Sequence, residues 1–170
     1  TYEPYDAGSL RNVQMQGLKT TGFNQWDEQW EVGALVIDPT STSAGEWVAD
    51  TECIRSKNFI PIIPNTSYYA KGSTNLRFCF YDGDKEFVST PGSSTTTNIS
   101  FTTPQNARYC MWYTRCTPTT YNNDICINIS DTNKNGIYEP HEEHNVSVPV
   151  TTLTGKVNGQ GESVIIFPDG

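Results

Sequence analysis

Basic residues are scarce in this chain: eleven Lys and Arg stand against nineteen Asp and Glu, for a formal net charge of −8 at pH 7. Such a surface repels phosphate backbones and anionic lipid heads, and no Lys/Arg cluster along the sequence offsets it. Nucleic acid and membrane surfaces are therefore not expected as partners. Long hydrophobic runs are missing too, which removes transmembrane helices from consideration. No long stretch shows helical periodicity. No secretory leader is visible, although a segment cut from within an array would have lost one.

Histidine occurs only twice, at His141 and His144. These sit three apart beside Pro140, whereas a helical zinc motif needs a spacing of four on an unbroken helix. The cluster of Glu139, His141, Glu142, Glu143 and His144 therefore reads as a solvated acidic strand or linker. The five cysteines, Cys53, Cys79, Cys110, Cys116 and Cys126, form no CxxC pair and no metal-ligand spacing. An odd number fits free buried thiols in a reducing cytosol, with a Cys110–Cys116 bridge as the alternative. The sequons at Asn65, Asn98, Asn128 and Asn145 read as products of an Asn/Ser/Thr-rich chain.

A catalytic pair is equally hard to find. Glycoside hydrolysis needs an acid and a base facing each other across the sugar. Asp82, Asp84 and Glu86 are accounted for by a hairpin turn, and Asp27, Glu28 and Glu31 between two tryptophans show no pairing. No Ser-His-Asp or Cys-His arrangement appears, so the chain is not read as an enzyme.

What is present is β-structure. Of the residues, 35% are hydrophobic and 12% aromatic, in short runs punctuated by Gly, Pro, Asn, Ser and Thr. That is a globular, all-β composition, long enough for one domain with connecting segments. Residues 58–63 form an apolar run whose Pro61 suits an edge or bulge, closed by Pro64-Asn65-Thr66 before a strand at 67–70. Leu76–Tyr81 alternates, with Leu76, Phe78 and Phe80 on one face and Arg77, Cys79 and Tyr81 on the other. Asp82-Gly83-Asp84 turns it into a hairpin with residues 86–89. A second hairpin is expected between Asn98–Thr102 and 108–114, and Ile125, Ile127 and Ile129 alternate on a later strand. Further strands are expected at 13–15, 145–150, 153–157 and 163–167. Many short strands at even spacing predict a two-sheet antiparallel β-sandwich, a jelly roll, with short β-rich flanking segments.

Tyr2-Glu3-Pro4-Tyr5 returns as Tyr138-Glu139-Pro140-His141, an echo at domain-scale distance that suggests a tandem array. Residues 1–20 then read as a linker and the end of a preceding module, 21–141 as a complete module, and 142–170 as a β-rich connecting segment.

Several blocks in order resemble one family. These are Asn58-Phe59-Ile60-Pro61-Ile62-Ile63-Pro64-Asn65-Thr66-Ser67-Tyr68, then Leu76-Arg77-Phe78-Cys79-Phe80-Tyr81-Asp82-Gly83-Asp84-Lys85-Glu86-Phe87, then Phe101-Thr102-Thr103-Pro104-Gln105-Asn106-Ala107-Arg108-Tyr109. Residues 125–129 with Tyr138-Glu139-Pro140 close the pattern. Together they resemble the carbohydrate-binding-like jelly-roll modules of phage and prophage tail or receptor-binding proteins of gut bacteria. The resemblance implies glycan adhesion to a host-surface polysaccharide, within a virion tail or surface fibre made in the bacterial cytoplasm; the alternative is a bacterial cell surface. It also implies neighbouring modules and a homo-oligomeric parent. The family has no fixed binding triad, so no site residue comes with it.

Site residues are instead read from chemistry. Sugar rings stack their C–H faces on exposed aromatic rings while polar groups bind the hydroxyls. The candidates are Trp26 and Trp30 in a polar stretch, Trp47 after a Ser/Thr-rich loop, Trp112 on a strand and Tyr121 in a polar loop. Arg77 and Arg115 are the polar partners, while Phe59, Phe78, Phe80 and Tyr109 read as core. One metal motif stands out. Asp131, Asn133, Asn135, Gly136 and Glu142 match the EF-hand loop at positions 1, 3, 5, 6 and 12, a candidate calcium site. An incoming strand in place of a helix, and Pro140 at the exit, favour a plain Asn-Gly turn. No other cofactor is expected.

Overall fold

A computed structural model describes residues 18–91, 97–146, 154–157 and 163–166. The expected strand at 13–15 and the first tetrapeptide lie outside them. Fifteen strands run through the described residues, which contain no helix. In chain order they are β1 Leu18–Thr21, β2 Trp30–Val32, β3 Ala34–Leu35, β4 Trp47–Val48, β5 Ile54–Ser56, β6 Ile60–Pro61, β7 Ser67–Lys71 and β8 Leu76–Tyr81. They continue as β9 Phe87–Ser89, β10 Asn98–Thr102, β11 Tyr109–Thr114, β12 Cys126–Ile129, β13 Glu143–Val146, β14 Thr154–Val157 and β15 Ser163–Ile166.

Two compact units divide the chain. One is Thr21–Glu143; the other comprises Thr1–Thr20 and His144–Gly170. In the latter, β1 pairs with β13, and β14 pairs antiparallel with β15. The larger unit is an antiparallel β-sandwich. Its main sheet has the order β2-β5-β11-β8-β9, with β6 also on β11, and its second sheet has the order β10-β7-β12.

Register explains the core. On one face of the main sheet, Trp112 lies opposite Phe78, Cys110 opposite Phe80 and Thr114 opposite Leu76. These side chains meet Tyr68, Ala70, Ile99, Phe101 and Ile127 from the second sheet, all buried. Phe101 is central, with ring centroids 4.9 Å from Phe78 and 5.4 Å from Phe80. Burying each such ring contributes about 1.5–3 kcal/mol. The alternate residues of the same strands, Cys79, Tyr81, Met111 and Tyr113, form a second buried cluster with Ala34, Leu35 and Cys53. The hairpin β3–β4 thus covers part of the main sheet's opposite face, which the alternation alone would leave to solvent.

One detail of the predicted strands is revised. β10 and β11 do not form a hairpin: β10 pairs with β7 and β11 with β8, β5 and β6. The chain crosses between sheets at Thr103, whose N–H donates to Thr66 O (3.0 Å) and whose hydroxyl donates to Ile63 O (2.6 Å). Pro61 does lie at an edge, with β11 as its partner strand. β5 and β6 share that side of β11 at different heights, with Lys57, Asn58 and Phe59 spanning the break.

Candidate functional site

The outer face of the main sheet carries an open groove of about 640 Å³. One wall is the β3–β4 hairpin with its loop, including Ser41, Thr42, Gly45, Glu46 and Trp47. The floor is Arg55, Lys57 and Phe59 with Tyr81 and Met111, and the far lip is Lys85, Glu86 and Phe87 from the β8–β9 turn. The loop is fastened by two contacts. Tyr81 Oη donates to Gly45 O at 2.6 Å, and Gly45 N–H donates to Val36 O at 2.7 Å. Gly45 itself, at φ +80, has no room for a side chain: a Cβ there would come within 2.7 Å of Phe87.

Trp47 is the exposed aromatic of this groove, with 56% of its surface accessible. It is nevertheless fixed. Gly33, at φ +140, lies so close that a Cβ on it would fall 2.3 Å from Trp47 Nε1. The Arg55 guanidinium stands 5.9 Å from the indole centroid. Arg55 is anchored by Glu31, opposite it in the β2–β5 register, and donates from Nη1 to Ser56 O at 3.0 Å. Opposite, Lys85 Nζ lies 5.0 Å above the half-buried ring of Phe59. Cation-on-ring contacts of this kind hold both partners in place.

A smaller hollow of about 300 Å³ shares Leu35 with the groove and is lined by Val48, Asp50, Cys53, Arg77, Tyr113 and Arg115. Arg77 stands 5.5 Å from the Tyr113 ring, and Arg115 pairs with Glu52. Asp50 accepts hydrogen bonds from Glu52 N–H and Cys53 Sγ, which hold its carboxyl below the usual range. Burial, then the bond to Asp50, pushes the Cys53 thiol up to about 11.

The predicted ligand aromatics do not gather in one place. Trp26 and Trp112 are buried, 1% and 0% exposed, and pack edge-to-face at 4.8 Å. Their rings belong to the core, which corrects the expectation that they face a ligand. Trp26 is drawn inward because Asn24 Oδ1 accepts from both Trp26 N–H (3.2 Å) and Ile127 N–H (3.1 Å), tying that polar stretch to β12. Tyr121 is also buried, and the half-buried Trp30 packs on it at 5.8 Å. Only Trp47 of the five opens into the groove; Arg77 and Arg115 line the smaller hollow. Phe59, read as core, is half-buried against the second cluster and also helps floor the groove. Arg55 and Lys57 stand two apart at the end of β5 while Lys85 comes from the β8–β9 turn, so the sequence does not show the three as a set.

At the EF-hand-like loop, Gly136 adopts φ +89 and Asn135 Oδ1 accepts from Asn128 Nδ2 and from Asp131 N–H, each at 3.0 Å. Asp131 Oδ1 accepts from Asn133 N–H at 2.9 Å. The turn at Asn135-Gly136 is closed by Ile137 N–H donating to Lys134 O at 3.0 Å. Among the described residues no group of three or more His, Cys, Asp or Glu side chains is arranged to hold a metal ion. All five cysteines are buried and unbridged.

Comparison with protein-family models and with curated proteins finds no match for this chain.

Proposed function

We propose that the larger unit binds glycan without transforming it, as a host-recognition module of a phage or prophage tail or receptor-binding protein. The observation that carries this reading is Trp47: a tryptophan more than half exposed, yet braced by Gly33 and Arg55 at the lip of an open groove. A sugar ring can stack on such an indole with little ordering cost, because the platform is already in place. Ser41, Thr42, Glu46 and Glu86 supply donors and acceptors for the hydroxyls. One groove of this size gives weak binding, and repetition along a tail or in a homo-oligomer raises it by avidity. The jelly-roll connectivity and the virion setting, with a bacterial cell surface as the alternative, belong to this proposal and rest on the sequence resemblance.

A second reading is a structural spacer or decoration module that contacts only protein. It is favoured by the burial of Trp26, Trp112 and Tyr121, which leaves one exposed tryptophan rather than a band of them. The two readings separate on an array of bacterial surface polysaccharides, probed with and without calcium because of the loop holding Asp131 and Glu142. Specific binding that disappears in Trp47→Ala, with the fold unchanged by circular dichroism, is the expected result. Silence of the folded protein across the array establishes the spacer reading instead.

A further inference from the structure

The groove gathers basic side chains in an otherwise acidic chain. In a chain of net charge −8, three of the eleven basic side chains, Arg55, Lys57 and Lys85, line this one opening, against two carboxylates, Glu46 and Glu86. Arg55 is neutralised by Glu31, but among the described residues neither lysine has a carboxylate within ion-pair distance. Both lysines are exposed.

Lys85 also sits where a lysine is out of place. Its φ is +66, a left-handed conformation that side chains disfavour and glycine tolerates. The turn that imposes it is tied down: Asp82 Oδ1 accepts from Asp84 N–H (2.9 Å) and Glu86 N–H (3.0 Å), and Asp82 N–H donates to Glu86 O (3.0 Å). The tied turn therefore fixes the backbone of Lys85, whose ammonium lies 5.0 Å above the Phe59 ring of the groove floor. Glu46 and Glu86 match the two lysines in number, so the groove is formally neutral in a chain of net charge −8, and screening confines the effect of the acidic remainder of the surface to about 8–10 Å at physiological salt.

We propose that this groove selects an acidic glycan, with Lys57 and Lys85 receiving its carboxylates while the sugar ring lies on Trp47. The inference rests on the glycan-binding reading above and adds the substrate class. Neither lysine is part of the core, so Lys57→Ala and Lys85→Ala leave the fold intact. Lys85→Gly goes further, since glycine relieves the strained turn while removing the amine.

The test measures binding to a panel of uronate- and sialate-containing polysaccharides, polygalacturonate, alginate and polysialic acid, each beside its carboxyl-reduced neutral form. Preference for the native polymers, weakened by sodium chloride and by about three- to five-fold in each lysine variant, is expected. Lys85→Gly is expected to lose the same affinity while unfolding no more easily than the parent protein. Equal or better binding to the reduced forms overturns the charge selection and leaves glycan binding standing. Binding to neither set overturns both.

Discussion

The main sheet uses the same strands to do two different jobs on its two faces. On the inner face, Leu76, Phe78, Phe80, Cys110 and Trp112 meet a whole second sheet and are almost completely buried. On the outer face, one cross-strand row reads Glu31, Arg55, Tyr113, Arg77, and its cover is a hairpin of two-residue strands with a loop. The inner face spends its apolar side chains on packing. The outer face leaves a groove, a fixed tryptophan and unpaired lysines, which is what a binding surface needs and a core cannot supply.

If that division is right, damage to the inner face is the most severe. Phe78→Ala removes a ring that touches Phe101 and faces Trp112, and the cost is about 3–5 kcal/mol, enough to unfold a marginal domain. Chemical denaturation checks this. A loss below about 1 kcal/mol means that the inner face is not the cohesive core described.

Next in size is the response to alkali, and it reports on the outer face. Burial raises the Cys79 thiol from 9.0 to about 12, so the fold favours its neutral form. The sign follows: this stabilisation is complete below pH 9, where the unfolded thiol is also protonated, and is lost as pH rises through about 12. By pH 11 the contribution lost is about 2–3 kcal/mol. Denaturation midpoints between pH 8 and 11.5 are expected to fall less steeply in Cys79→Ala than in the parent protein. Parallel curves mean that the thiol is not sealed beneath the β3–β4 cover.

The contrast also marks what was readable in the sequence. The alternation in Leu76–Tyr81 announces two faces, and both exist as drawn. That the second face would be covered was not legible, because Ala34-Leu35 and Trp47-Val48 are too short to show any period. Trp26 looked exposed among polar neighbours, yet the asparagine that buries it reaches across to Ile127, far along the chain. The β10–β11 hairpin failed for a similar reason: Thr103 hands the chain from one sheet to the other through bonds to Ile63 and Thr66. Trp47 was legible because a Ser/Thr-rich loop precedes it. The groove's set of cations was not, since only the fold brings Lys85 from the β8–β9 turn beside Arg55 and Lys57.

A smaller effect is expected where Trp47 meets its brace. Gly33→Ala forces a methyl to within 2.3 Å of Trp47 Nε1 at a backbone angle that alanine disfavours. The cost is about 1–3 kcal/mol. The clash falls on the outer face alone, so tryptophan fluorescence should shift at full occupancy of the folded state, and glycan affinity should fall as in Trp47→Ala. An unchanged spectrum and affinity mean that the indole is not held by this contact.

The mildest change probes how the outer cover is fastened. Tyr81→Phe deletes one hydroxyl, the donor to Gly45 O at 2.6 Å, and keeps the ring that packs on Phe59 and Phe87. A single neutral hydrogen bond is worth about 1 kcal/mol net. Global stability therefore moves little, while the loop between β3 and β4 loses its main tether to the sheet. Hydrogen exchange separates the two: the Gly45 amide, bonded to Val36 O, is expected to exchange several-fold faster while the amides of β8 and β11 stay protected. Equal acceleration in both places would mean that the cover and the core open as one unit, and that the outer face is no more independent than the inner.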